Sequence, residues 1–431
     1  MKYHIITYGC QLNHSNSERI ATVLEKEGYE KSQKIDNSDL IAVNMCSIRQ
    51  SAVDRVYGLI PKFKDLKKGN KNLKIILTGC ILKKDKKNFA QYFDYISDSK
   101  EFSEQVKNFF SVKPKYSSFP VANVPISTGC DNFCSYCVVP YTRGRENCRP
   151  AEKIISEVKH LVKKNFKEIW LLGENVNSYK SKIQMPKDKF GTKPEFQEIN
   201  FSGLLSLIGN IPGDFWIRFT SSNPKDFSDE LIRIMAKSKK ITPYLNLPIQ
   251  SGSNKILEAM KRRYKVNDYL KLVKKIKRAV PDIALSTDII VGFPGETKRH
   301  FRKTARLFKK VKFDMAYISQ YSPRPMTAAF KMKDNISQKE KRRRDKVLTK
   351  ILAQNNQKKN NKLVGKEIKV LAIKDKDNFI LGKSPQYKTI KFKGERELIG
   401  SFHQVKIIKS YPWGLGGLIA NLDKNEKEEI R

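Results

Sequence analysis

The chain has 431 residues, 39% of them apolar and 10% aromatic, with 85 Lys and Arg against 44 Asp and Glu and a formal net charge of +41. That is enough apolar mass for sizeable cores without disulfide stapling, and too much for a disordered chain; seven cysteines are too few for a small secreted scaffold. No apolar run approaches the ~20 residues of a membrane span, and MKYHIITYGCQLN (1–13) reads as a strand rather than a leader, so a soluble, reducing, cytoplasmic setting is expected.

The length suggests about three domains. The first 110 residues alternate short apolar runs, HIITY (4–8), LIAVN (40–44) and KIILT (74–78), with helical patterns over 15–27 and 49–68. This βαβ rhythm predicts a parallel sheet in an N-terminal α/β domain over 1–112. The polar, Pro-bearing stretch 112–120 reads as a linker. A second series follows over 122–335. Strand patterns at 124–128, 169–173, 217–221, 244–249, 284–292 and 315–321 are separated by helical stretches at 151–164, 226–237, 253–262, 266–279 and 297–310. Six βα units predict a partial or full (β/α) barrel, with a doubly wound sheet as the alternative. A basic helix is expected over 336–363, containing KEKRRR (339–344). Short strands with Gly turns over 364–424 (366–373, 379–384, 389–394, 400–411 and 415–422) then predict a small antiparallel β-barrel.

The charge favours a polyanionic partner, because Lys and Arg bound at phosphates release counterions. With 65 Lys to 20 Arg, much of the excess is compositional, and the charge alone identifies nothing. The cysteines are more specific. Cys10, Cys46 and Cys80 each lie at or just beyond the end of a predicted parallel strand. The carboxyl ends of such strands share one edge, where ligands bind, so residues about 35 apart in sequence converge there. A lone cysteine in such a place is most often a small buried hydrophobe; three at equivalent strand ends, two of them preceded by Gly, point to a metal or iron–sulfur cluster. Cys130, Cys134 and Cys137 form a Cys-x3-Cys-x2-Cys loop after the first strand of the second series. Three thiolates hold three irons of a [4Fe–4S] cluster and leave the fourth iron open, at the end of a barrel where active sites sit. Cys148 is left over and reads as a bystander.

The Cys130–Cys137 loop resembles that of the radical S-adenosylmethionine (SAM) superfamily. The wider set of motifs resembles the methylthiotransferases: TYGCQLN (7–13), NMCSIR (44–49), LTGC (77–80), GCDNFCSYCVVPYTRGRE (129–146), LLGENVNSY (171–179), LPIQSGS (247–253), STDIIVGFPGET (286–297) and YSPRPMTAA (321–329). The C-terminal barrel resembles the TRAM domain, an RNA-binding module. Gln11 and VVPYTRGRE (138–146) resemble the branch that adds a methylthio group to C2 of N6-isopentenyladenosine beside the anticodon. Branches acting on threonylcarbamoyladenosine in tRNA, or on a ribosomal-protein aspartate, are the alternatives.

The resemblance implies two [4Fe–4S] clusters, one on each cysteine triad. It implies SAM bound at the open iron of the Cys130 cluster, a 5′-deoxyadenosyl radical, and a second SAM as methyl donor. It also implies a tRNA substrate, an external electron donor such as flavodoxin or ferredoxin, no membrane, and a monomer. Tyr136, Gly173, Glu174, Gln250, Ser251 and Asp288 are the expected SAM contacts, Glu174 as partner of its ammonium, and the turn GFPGE (292–296) is expected to approach the adenine. Glu174, Asn246 and Met326 depart from the family, which usually has Gln, His and Gly there. Arg143, Arg145, Arg324, Arg342, Arg343 and Arg344 are the candidate RNA contacts, with Arg149 beside them. Of Phe379, Tyr387, Phe392, Phe402, Tyr411 and Trp413, one or two are expected to stack on bases and the rest to be core.

Overall fold

The computed structural model describes residues 1–48, 50–98, 101, 109, 112–184 and 196–420. Arg49 of the second predicted helix and motif, and residues 421–424 at the end of the predicted barrel, lie outside them. The first predicted strands are present as β1 (Lys2–Tyr8), β3 (Leu40–Cys46) and β4 (Lys74–Cys80). Two short edge strands that the pattern did not reveal, β2 (Glu30–Lys31) and β5 (Tyr95–Asp98), complete a five-stranded sheet in the order β2-β1-β3-β4-β5, parallel throughout. In this order the topological switch falls between β1 and β3, the crevice where doubly wound sheets bind ligands.

The second unit is an open arc. Strands β6 (Val121–Pro125), β9 (Glu168–Leu172) and β12 (Trp216–Phe219) form one parallel sheet, and β13 (Tyr244–Asn246), β14 (Ala284–Val291) and β15 (Met315–Gln320) form another. A parallel bridge between Ile217 and Ile241 joins them. The strands follow chain order, so the arrangement is a partial barrel and not the doubly wound alternative. Helices Ala151–Lys163, Phe201–Gly209, Asp229–Lys237, Val266–Ala279 and Lys298–Val311 cover it, burying a single large apolar core. Two small elements were not anticipated, the pair β7 (Ser127–Thr128) and β8 (Asn147–Cys148) and the hairpin β10 (Lys180–Gln184) and β11 (Phe196–Asn200).

The basic helix, Gln338–Asn361, is not a free surface rod. Leu348, Ile351 and Leu352 join the barrel core, and Lys341 and Arg344 are buried. It leads to a closed barrel of β16 (Glu367–Lys376), β17 (Phe379–Lys383), β18 (Thr389–Lys393), β19 (Phe402–Tyr411) and β20 (Gly414–Ile419). Closure runs through a parallel β18–β20 pair, so the barrel is not wholly antiparallel as expected.

The stretch 112–120 is pinned rather than a loose linker. Lys115 pairs with Glu25 at 2.8 Å, Ser117 donates to Glu18, and the Tyr116 hydroxyl bonds Glu157. Glu157 also takes Arg19 at 3.2 Å and Arg149 at 2.5 Å, both guanidinium groups being buried, so one carboxylate ties the N-terminal domain to the barrel. Met326 has φ +71, a left-handed conformation that suits glycine and explains why a Gly is usual there.

Two outcomes are expected. Glu157→Ala strands two buried guanidinium groups and should cost about 3–5 kcal/mol in chemical denaturation. Burial at the barrel–barrel junction lowers Lys383 to about 8 from 10.5, so between these values the unfolded chain binds more protons. Stability should therefore rise as pH increases from about 8 towards 10.5, and Lys383→Met should flatten that rise.

Candidate active site

The first cysteine triad is assembled by strand register. Cys46 ends β3 opposite Cys80 at the end of β4, and Cys10 follows β1 at the head of the helix Gln11–Lys26. Gly79 has φ +113, and a Cβ there would lie 2.1 Å from the Met45 carbonyl oxygen, so the strand ends meet this closely because glycine precedes Cys80. Asn13 and Asn44, which sequence reasoning passed over inside quoted motifs, stitch the three ends together. Asn13 Nδ2 donates to Asn44 Oδ1 at 2.9 Å and Asn44 Nδ2 donates to the Asn13 carbonyl at 2.8 Å. Cys10 Sγ donates to Asn13 Oδ1 at 3.3 Å.

The second triad sits on the loop after β7. Gly129 has φ +78, and a Cβ would lie 2.1 Å from the Arg145 carbonyl oxygen, so the loop folds back on itself only with glycine before Cys130. Asn132 Nδ2 and Arg262 Nη1 each donate to a ligand sulfur at 3.4 Å, on Cys130 and Cys134 respectively. Arg262 was missed because it lies in the basic run KRRYK (261–265), which reads as a solvated face.

The second triad and Cys10 of the first line one cavity of about 570 Å³, while Cys46 and Cys80 are buried behind Cys10. Its walls include Cys10, Cys130, Cys134 and Cys137, and of the expected SAM contacts Tyr136, Gly173, Glu174, Gln250 and Asp288. Ser251 does not line it; this side chain is buried and accepts a hydrogen bond from the Ser253 backbone. Nor does the GFPGE turn, which faces the helix Gln338–Asn361: Gly292 packs on Lys341, and Glu296 is bound to Arg344. Asn246, another family departure, lines the wall and donates to Asp288 at 3.1 Å.

The arginines divide sharply. Arg143 is buried in the cavity, pairs with Glu174 at 3.1 Å and reaches Asn13. Burial opposes its charge, but Cys80, Glu174, Cys10 and Cys46 outweigh burial and hold it protonated. It is therefore an internal counter-charge on the cavity wall, paired inside the protein. Arg324 is buried and donates to Gln50 at 2.9 Å, near the first triad. Arg344 is buried between Glu296 (2.6 Å) and Glu340 (2.9 Å), and Arg149 is spent on Glu157. Arg343 pairs with Glu340 but remains half exposed; Arg145 is exposed beside Asp131 at 2.7 Å, and Arg342 is exposed. Among the aromatics, Phe392 is core, Phe402 packs on Trp216, Tyr387 lines the cavity, and Tyr411 and Trp413 are exposed.

The donor sets suit the groups expected. Each triad offers three thiols, soft ligands that favour iron–sulfur clusters. Among the described residues no three His, Cys, Asp or Glu side chains close around a single ion; a cluster needs no such closure, since its ligand sulfurs bind different irons. Burial raises the thiols of Cys10, Cys130 and Cys137, the last to about 12. A hydrogen bond between Cys46 and Cys80 lowers the first and raises the second. Thiols held this way give up protons when they ligate metal. Glu174 was expected to meet the ammonium of SAM. One of its oxygens is committed to Arg143, while the buried Oε2 has no hydrogen-bond partner, an acceptor that fits that ammonium.

Comparison with known proteins agrees with this picture. Residues 124–308 match the radical SAM superfamily, and residues 2–97 match an uncharacterized protein family, UPF0004. Over 96% of its length the chain is 38% identical to a tRNA-2-methylthio-N(6)-dimethylallyladenosine synthase from Thermoanaerobacter sp. (strain X514), of which 92% is covered. Proteins of the same name from Clostridium botulinum (strain Langeland) and Dictyoglomus thermophilum are 36% and 38% identical, with 96% and 98% covered. Among solved structures, the radical SAM methyltransferase TsrM from Kitasatospora setae aligns with a TM-score of 0.53 at 13% identity, covering 76% of this chain and 75% of that one, which shows a shared fold.

Gly129→Ala should lower the iron retained after anaerobic reconstitution by about half, from about eight atoms per chain to about four. Gly58→Ala, on an open helix surface, should leave the iron content unchanged.

Proposed function

The chain belongs to the family of tRNA-2-methylthio-N(6)-dimethylallyladenosine synthases, radical SAM enzymes, and on that premise we propose how its residues divide the work. The reaction places a methylthio group on C2 of N6-dimethylallyladenosine beside the anticodon. The observation that carries this reading is one cavity lined by Cys130, Cys134 and Cys137 from the barrel and by Cys10, the outermost member of the N-terminal triad.

Cys130, Cys134 and Cys137 would hold the cluster that binds SAM, and Cys10, Cys46 and Cys80 the second. When bound, these groups supply the one-electron chemistry that an unreactive C–H bond requires, together with the sulfur and the methyl group. The protein's own task is placement. Arg143 balances buried negative charge at the seam between the triads, and Glu174 Oε2 is the acceptor for the SAM ammonium. Gln250, with φ +72, is held by backbone bonds to Asp288 and Ile290 so that its side chain stays at the cavity wall. Asp288, braced by Asn246, suits the SAM ribose hydroxyls. The target adenine must leave its stack to enter, as for other base-modifying enzymes.

RNA affinity is assigned to the exposed cations Arg145, Arg342 and Arg343, and to Tyr411 and Trp413 on the C-terminal barrel. The same reading makes the enzyme a cytoplasmic monomer fed by an external low-potential donor such as flavodoxin or ferredoxin. No helix among the described residues is long and apolar enough to cross a membrane.

Reconstituted enzyme with SAM, reductant and dimethylallyladenosine-containing tRNA should yield the methylthio nucleoside by mass spectrometry, with about eight irons per chain. Cys10→Ala should retain about four irons and cleave SAM without forming product. Unaltered tRNA alongside active SAM cleavage by the native enzyme would reject the substrate assignment.

A further inference from the structure

One part of the cavity wall is aromatic: Trp170 of β9 and Tyr244 of β13, 2% and 5% exposed, Tyr317 of β15, and Tyr387. Tyr387 belongs to the C-terminal barrel, in the turn between β17 and β18. Its ring centroid lies 5.0 Å from Trp170 and 4.9 Å from Tyr244. Leu12 and Leu172 extend the apolar surface, and Tyr387 packs against the cluster that they form with Trp170 and Tyr244. A residue from a distant domain therefore completes the wall of the active-site cavity.

Tyr387 is held there firmly. It has φ +63, a conformation disfavoured for a side chain with a Cβ, closed by its N–H donating to the Ser384 carbonyl at 2.9 Å. Behind it the buried Arg218 guanidinium stacks on its ring at 4.9 Å and donates to the carbonyls of Ser384 and Pro385 at 2.8 and 2.7 Å. Arg218 also donates to Glu168 and Thr242 at 2.7 and 2.8 Å. Four donors of this guanidinium are thus committed to structure, so it is a brace for the aromatic wall and not a receptor for an anion.

We propose that this aromatic wall receives the N6 substituent of the target adenosine, and that Tyr387 is a specificity-determining residue lent by the C-terminal barrel. The inference rests on the substrate reading above. C2 and C6 flank N1 and their outward bonds diverge by about 120°, so an adenine that offers C2 to the cysteines turns its N6 substituent onto a different stretch of the cavity wall. A dimethylallyl group is branched, apolar and flat at its alkene, and matches packed aromatic faces. A threonylcarbamoyl group would bring a carboxylate against aromatic rings, with the Arg218 guanidinium behind Tyr387 already bound to Glu168.

The test is binding rather than turnover. Anticodon stem-loop RNAs carrying adenosine, N6-dimethylallyladenosine or N6-threonylcarbamoyladenosine at the target position are titrated against cluster-reconstituted, full-length enzyme by fluorescence anisotropy. The wild type should prefer the dimethylallyl RNA over the unmodified RNA by about tenfold or more. Tyr387→Ala should erase that preference while leaving affinity for the unmodified RNA within about twofold. Tyr387→Phe should preserve both. Tyr387→Trp keeps the ring packing but narrows the pocket, and guards against a variant that misfolds; it should also reduce the preference. A wild type without preference, a Tyr387→Ala variant with the full preference, or one that weakens both RNAs equally overturns the pocket. A wild type that prefers the threonylcarbamoyl RNA, or makes no methylthio product from the dimethylallyl RNA, overturns the substrate reading itself.

Discussion

The structure turns on one buried cation. Six thiols from two domains lie around one seam, and ligated thiolates would concentrate negative charge there. Arg143 answers this charge from inside the protein, bound to Glu174 on one side and Asn13 on the other. It leaves the Cys130 loop and reaches the helix that begins at Cys10, so one side chain links the two triads mechanically as well as electrostatically. The Glu157 junction between domains serves the same end from outside, fixing the helix Gln11–Lys26 on the barrel so that the register of β3 and β4 is delivered to the cavity mouth.

The cavity combines sulfur and charge with the hydrogen-bonded Asn246–Asp288 pair and an aromatic wall. Such a mixed lining orients a ligand with polar and apolar parts without the need for many specific bonds. The C-terminal barrel supplies the turn carrying Tyr387 to that wall, so the module attached by the long helix also shapes the cavity.

Much of this was legible in the sequence. The two triads followed from strand ends and spacing, because a parallel sheet brings its carboxyl edges together regardless of what lies between. The six barrel strands were legible for the same reason, each being a short apolar run closed by polar residues. The arginines were not. Arg344 lies in KEKRRR, yet its partner Glu296 is 48 residues away in sequence, and a charge run does not reveal which of its members is buried. Arg143 and Arg324 are likewise buried, which their neighbours in sequence do not reveal. Tyr387 was counted as a stacking candidate, but its wall partners Trp170 and Tyr244 come from another domain and left no periodic trace.

These placements also change the meaning of the net charge of +41. Arg143, Arg149, Arg218 and Arg344 are buried and bound to Glu174, Glu157, Glu168 and Glu296, so they carry no free charge at the surface. Cations such as Arg145 and Arg342 remain outside on flexible stems, well suited to neutralising phosphates without reading sequence. Long-range attraction to tRNA and recognition of one modified base are thus separate physical problems, solved on separate surfaces. The first is diffuse and sensitive to salt, whereas the second depends on a dry pocket into which the base must be turned.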